Sequence, residues 1–148
     1  MATILVVDDD RITRLVIKRM INNLGHIALE AENGAIGEMI LGHAPIDLLF
    51  IDIYMPEQDG IETIHHIRKQ TKLLPIIAMT ASEPGNDKCY MRHASLLGAT
   101  KTFQKPLREC QIQEALALIQ PKQAFAPVPS TVRSEPTAQH RCLQPAGL

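Results

Sequence analysis

Leu48-Leu49-Phe50-Ile51 is apolar without a break and stops on Asp52. A strand with no polar alternation is buried on both faces, which constrains the fold to a parallel sheet covered by helices. Ile4-Leu5-Val6-Val7 repeats the pattern and stops on Asp8-Asp9-Asp10. Ile76-Ile77-Ala78-Met79 runs into Thr80-Ala81-Ser82, and the shorter Thr102-Phe103-Gln104 runs into Lys105-Pro106. Ligands of parallel sheets bind outside the carboxyl ends of the strands. Acids, a hydroxyl and a lysine are therefore expected along one edge of the sheet.

Helical patterns separate the strands, and the alternation repeats five times, as in an α/β domain. The first helix reads from about Arg11 to Leu24, with Ile12, Leu15, Val16, Met20 and Leu24 at helical spacing and Gly25 placed to stop it. Asp10 suits the N-cap of this helix. His26 to Ala31 reads as a second strand, and Ala35 to Gly42 as a short helix with Ile36, Met39 and Ile40 on one face. Asp59 can cap a helix to about Gln70, with Ile61, Ile64 and Ile67 inward and Glu62, Arg68 and Lys69 outward. Residues 83–87 read as a loop before a helix at about Lys88 to Leu97. The last helix, about Leu107 to Ile119, carries Ile112, Ala115, Leu116 and Ile119 as its stripe and ends before Pro121.

Five prolines fall between Pro121 and Leu148, with no apolar periodicity. The expected organisation is a folded domain over 1–120 and a disordered, Pro-rich tail over 121–148. A docking peptide around Phe125-Ala126-Pro127-Val128-Pro129 is the alternative for that tail. A net charge of -1 supplies no long-range field for nucleic acid or an anionic membrane, so no direct DNA binding is expected. No apolar run approaches the length of a membrane span and no signal segment opens the chain, which points to the cytoplasm. Cys89, Cys110 and Cys142 are odd in number and lack metal-ligand spacing, which fits a reducing compartment. His65 and His66 are neighbours on one helix and diverge by about 100°, a poor two-ligand site.

Taken in order, Asp8-Asp9, then Asp52 followed by Met55-Pro56 and Asp59-Gly60, then Thr80-Ala81, then Lys105-Pro106, the chain resembles the receiver domain of two-component response regulators over residues 1 to 120. The resemblance implies a flavodoxin-like, doubly wound (βα)5 fold with parallel strand order 2-1-3-4-5. It implies that Asp52 is the phosphoacceptor, served by Thr80 and Lys105, with a histidine kinase or a histidine phosphotransfer protein as donor. Clustered carboxylates repel unless a cation compensates, and oxygen-only ligands suit Mg²⁺ (or Mn²⁺). By resemblance Asp9 and Asp52 ligate it directly, Asp8 helps through water, and the Tyr54 backbone carbonyl is a further ligand.

Function is then expected to be that of a single-domain receiver, signalling by phosphorylation-dependent protein contacts or phosphorelay through a surface from about Lys88 to Ile119. A phosphorylation-dependent homodimer belongs to the same expectation. Such a receiver is no enzyme in its own right, although it assists its own aspartyl phosphorylation and dephosphorylation. A small Mg²⁺-dependent phosphatase with an aspartate nucleophile and a degenerate receiver acting as a constitutive binding module are the alternatives. The chain departs from the family at Thr102, where receivers usually carry Tyr or Phe. Phe103 lies on the opposite side of the strand and is expected in the core.

Overall fold

The apolar runs become the interior of one sheet. The computed structural model describes residues 1–55, 59–81 and 87–120, with backbone alone for 87–91. The tail over 121–148, its Phe125–Pro129 segment and the loop residues 83–86 lie outside the described residues. Strands β1 (Thr3–Val7), β2 (Ile27–Ala31), β3 (Leu48–Asp52), β4 (Ile76–Thr80) and β5 (Lys101–Gln104) alternate with helices α1 (Arg11–Asn23), α2 (Gly34–His43), α3 (Gly60–Gln70), α4 (Asp87–Leu97) and α5 (Glu109–Leu116). All strand pairs are parallel, in the order β2-β1-β3-β4-β5. This is the doubly wound receiver topology that the resemblance implies.

Alternate side chains of each strand enter opposite layers. Leu5, Val7, Leu49, Ile51 and Ala78 pack with Ile64 and Ile67 of α3 and Ala94 of α4. Ile4, Val6, Phe50, Ile77, Met79 and Phe103 pack with Ile17 and Ile21 of α1 and Ile112 and Ala115 of α5. Phe103 is thus a core residue, as its strand position requires. The central strands β3 and β4 are buried at every position, including Asp52 and Thr80.

The caps follow the sequence. Asp10 accepts from the backbone N–H of Ile12 and Thr13 at the start of α1, and Asp59 accepts from those of Ile61 and Glu62 at the start of α3. Gly25, at φ +83, turns the chain away after α1 in a conformation that disfavours side chains with a Cβ.

Three expected helix faces are corrected. On α1 the residues buried are Ile17 and Ile21, while Ile12 is 71% exposed, Leu15 48% and Val16 46%. Met20 and Leu24 of the expected stripe do pack against the core, but Ile12 and Val16 are turned out, because Ile17 and Ile21, about 100° away around the helix, face the sheet. On α2, Ile36 and Ile40 pack against the core but Met39 is exposed. Gly37 lets this helix approach closely; a Cβ there would lie 2.9 Å from Val7 Cγ2. Arg68 of α3 does not point away into solvent. It is half-buried, and its Nε donates to the Gly98 carbonyl at 2.8 Å, ahead of β5.

Candidate functional site

Two central strands end side by side, and both ends are acids. Val7 is in register with Ile51 across β1 and β3, so Asp8 and Asp52 emerge as neighbours. β5 lies two strands away from β3, yet its backbone turn is tied to β4 by Lys105 N–H donating to the Thr80 carbonyl at 2.7 Å. From there the long lysine stem reaches back across the end of β4. Lys105 Nζ lies 2.6 Å from Asp8 Oδ2 and 3.0 Å from Asp52 Oδ2.

The second oxygen of each buried acid is held by main chain. Asp8 Oδ1 accepts from Asp10 N–H at 2.9 Å, and Asp52 Oδ1 accepts from Tyr54 N–H at 3.1 Å. Asp9 is exposed at the mouth of the site. Asp8, Asp9 and Asp52 each offer a carboxylate oxygen within 4.8 Å of the others.

This arrangement is electrostatically expensive. Asp8 is fully buried and Asp52 is 3% exposed. Burial, and secondarily the Asp8 charge, push Asp52 up to about 6, although Lys105 pulls the other way. Burial likewise raises Asp8 against the pull of Lys105 and the Asp10 N–H. For Lys105, burial favours the neutral amine, but the two carboxylates outweigh it and raise its pKa. Three carboxyl groups still face one ammonium. Asp8 Oδ2 also meets no well-aligned hydrogen-bond donor, its compensation being the ionic contact with Lys105. An all-oxygen, net-negative cluster with a spare buried lone pair fits a hard divalent cation better than a softer one.

Thr80 ends β4 fully buried, with its hydroxyl donating to the Ala81 carbonyl at 3.2 Å and to neither acid. Tyr54 contributes its N–H to Asp52, and its side chain is partly exposed. Thr102 is half-buried beside a surface hollow of about 340 Å³ that Arg92, Ser95 and Leu96 also line.

The family model described as "Response regulator receiver domain" matches residues 4–117. The chain belongs to the response regulator receiver family. PilH of Pseudomonas aeruginosa is 31% identical over 111 residues, covering 74% of this receiver and 89% of PilH. The hybrid signal transduction protein dokA of Dictyostelium discoideum is 32% identical over 117 residues, 77% of this chain but 7% of dokA. The receiver thus spans a small part of that relative's length. Among solved structures, NtrX from Brucella abortus is 26% identical with a TM-score of 0.73, covering 80% of this chain and 27% of that one. CheY4 of Vibrio cholerae, at 24% identity and a TM-score of 0.71, covers 81% of this chain and 99% of that one and supports the fold.

The receiver's site has two supports whose structural role the sequence reading did not give. Gly60 opens α3 directly against the end of β3: a Cβ there would lie 2.0 Å from the Asp52 carbonyl oxygen. Its signal in the sequence is the Asp59-Gly60 pair itself, a cap followed by a residue without a side chain. Arg14, one helical turn past the acids, folds back so that Nη1 donates to the Asp8 carbonyl at 2.6 Å. No pattern of side-chain types announces a contact of that kind.

Proposed function

We propose that this receiver accepts a phosphoryl group on Asp52 from a histidine kinase or a histidine phosphotransfer protein, and signals by phosphorylation-dependent protein contacts or phosphorelay. The observation that carries the reading is the buried Asp52 carboxylate at the end of a central strand, with Lys105 Nζ 3.0 Å away. Asp8, Asp9 and Asp52 would hold Mg²⁺, together with the Tyr54 carbonyl. When bound, that ion supplies positive charge to the carboxylates and to the incoming phosphoryl oxygens.

In the proposed step an Asp52 carboxylate oxygen attacks phosphorus, the phosphorus–nitrogen bond to the donor histidine breaks, and its electron pair stays on the imidazole. Lys105 shifts from its contact with Asp52 to a phosphoryl oxygen, as a flexible point charge can. Thr80 gives up its bond to the Ala81 carbonyl and turns its hydroxyl to another phosphoryl oxygen. Water later cleaves the aspartyl phosphate, releasing phosphate and restoring the carboxylate. The receiver thereby assists its own turnover without being an enzyme for a separate substrate.

A surface on which the donor can dock is offered by the exposed apolar face of α1. Ile12 and Val16 line a hollow of about 310 Å³ whose other wall is Lys105, Pro106 and Leu107, beside the acceptor. Retained acids favour this reading over a degenerate binding module, since a mere scaffold does not need a repulsive buried cluster. Movement of Thr80 and Lys105 would carry the change to the surface from Lys88 to Ile119, with helix and loop shifts in place of an aromatic switch at Thr102. The folded receiver is proposed to end with α5, residues 121–148 forming a separate tail. No helix of the described residues is long and apolar enough to cross a membrane.

Beryllofluoride, a mimic of the phosphoryl group, tests the reading. Fluorine NMR should show Mg²⁺-dependent binding to the wild type and none to Asp52→Ala, with amide exchange altered across 88–119. Binding that survives Asp52→Ala would refute the assignment.

A further inference from the structure

Arg14 is 13% exposed, although it belongs to the amphipathic helix α1 and could reach solvent. Its Nη1 donates to the carbonyl of Asp8 at 2.6 Å and reaches that of Asp9 at 3.4 Å. Its Nε is buried with no acceptor in line, and Glu30 Oε1 at 3.5 Å compensates its charge. Glu30, on β2, is itself held by Lys18 Nζ at 2.8 Å. Lys18, foremost through its hydrogen bond, and Arg14 with it hold the Glu30 carboxyl below the usual range. One guanidinium thus joins the acid turn to the second strand.

Local structure does not need this clamp. The N-terminus of α1 is already capped by Asp10, Asp8 N–H already donates to the Ala31 carbonyl, and Arg14 N–H to that of Asp10. What the guanidinium adds is a fixed orientation for the peptide units on either side of Asp9. That orientation has a consequence for one side chain in particular. Among the described residues nothing hydrogen-bonds to the Asp9 carboxylate, so its direction is set by its main chain, and Arg14 holds that main chain. Asp8 is aimed by Lys105 and Asp10 N–H as well; Asp9 has only its backbone.

We propose that Arg14 is the positioning residue of the acidic cluster, a planar clamp on the Asp8 and Asp9 carbonyls that aims the Asp9 carboxylate at a divalent cation, with Glu30 as its counter-charge. The proposal rests on the reading of Asp8, Asp9 and Asp52 as a Mg²⁺ site. Outer partners of metal ligands act in this way, and their loss typically weakens metal affinity by about 10- to 100-fold. The planar fork is the essential part. Lysine keeps the charge but cannot address two carbonyls and a carboxylate together.

Mn²⁺ binding to the full chain, read from the free-ion signal by electron paramagnetic resonance, tests the proposal without any phosphodonor. Arg14→Lys should weaken Mn²⁺ affinity by about tenfold or more, and Glu30→Gln, which leaves the guanidinium in place without its anchor, severalfold. In an Asp9→Asn background Arg14→Lys should have little further effect, because Arg14 acts through Asp9; a merely structural role would give additive losses. Lys101→Met, which removes an exposed ion pair with Glu114 of the same kind far from the acids, should leave the affinity unchanged. Wild-type-like affinity in both Arg14→Lys and Glu30→Gln, or additivity with Asp9→Asn, would overturn the positioning role. Absence of a saturable Mn²⁺ site in the wild type would instead overturn the metal reading on which it rests.

Discussion

Asp52 keeps a carboxyl that is only 3% exposed, and the fold bears a cost for that at neutral pH. A carboxyl moved from 3.8 to about 6 by folding destabilises the ionised state by on the order of 3 kcal/mol. The sign follows from proton binding. The native state holds the proton more tightly than the unfolded chain, so the penalty is complete above pH 6 and disappears as pH falls toward 3.8. Asp52→Asn should therefore stabilise the metal-free protein by about 1–3 kcal/mol at pH 7.5 and by little near pH 4, as measured by urea unfolding in chelator. Equal gains at both pH values would contradict the electrostatic account. Asp8, Asp52 and Thr80 were legible in the sequence because each ends or follows an apolar run, and Asp9 and Lys105 through their place in the ordered motif. The closeness of Lys105 to both acids was not, since it depends on a stem that crosses a whole strand end. Arg14 was less legible still, because its partners are backbone carbonyls.

At the scale of elements, the first helix shows what periodicity leaves undecided. Ile12, Leu15 and Val16 repeat as helically as Ile17 and Ile21 do, and only packing selects the second pair. Ile17→Ala should cost about 2–5 kcal/mol, whereas Ile12→Ala should stay within about 0.5 kcal/mol. Urea midpoints would check this, and the reverse ranking would mean that α1 is rotated. Junctions between elements are equally demanding. Gly60→Ala places a methyl against the Asp52 carbonyl, a backbone atom that cannot swing aside, so a loss of about 1–3 kcal/mol or more is expected. Beryllofluoride affinity should fall with it, because the same contact positions the end of β3 that carries Asp52. A Gly60→Ala protein with wild-type melting and affinity would show that α3 can retreat without disturbing Asp52. The caps at Asp10 and Asp59 were readable in advance because capping is local, within three residues of chain.

Across the whole molecule, the strand order decides which residues meet. Alternating strands and helices implied a covered parallel sheet, but nothing in the alternation says which strands are neighbours. The order 2-1-3-4-5 came only through the family resemblance, and it sets Asp8 beside Asp52 at the centre while Lys105 approaches from the edge strand. If the folded unit ends with α5, a chain truncated after Gln120 should keep its melting temperature and its phosphorylation, measured by circular dichroism and intact mass; a loss of either would give the tail a role in the domain. The proposed signalling depends on phosphorylation of Asp52. Its most direct test is Mg²⁺-dependent modification by acetyl phosphate, with borohydride reduction to convert an aspartyl phosphate into homoserine at the modified position, followed by peptide mass spectrometry. Homoserine is expected at position 52 in the wild type, with no modification in Asp52→Asn or without Mg²⁺; conversion at another aspartate, or none at all, would rule out Asp52 as the phosphoacceptor.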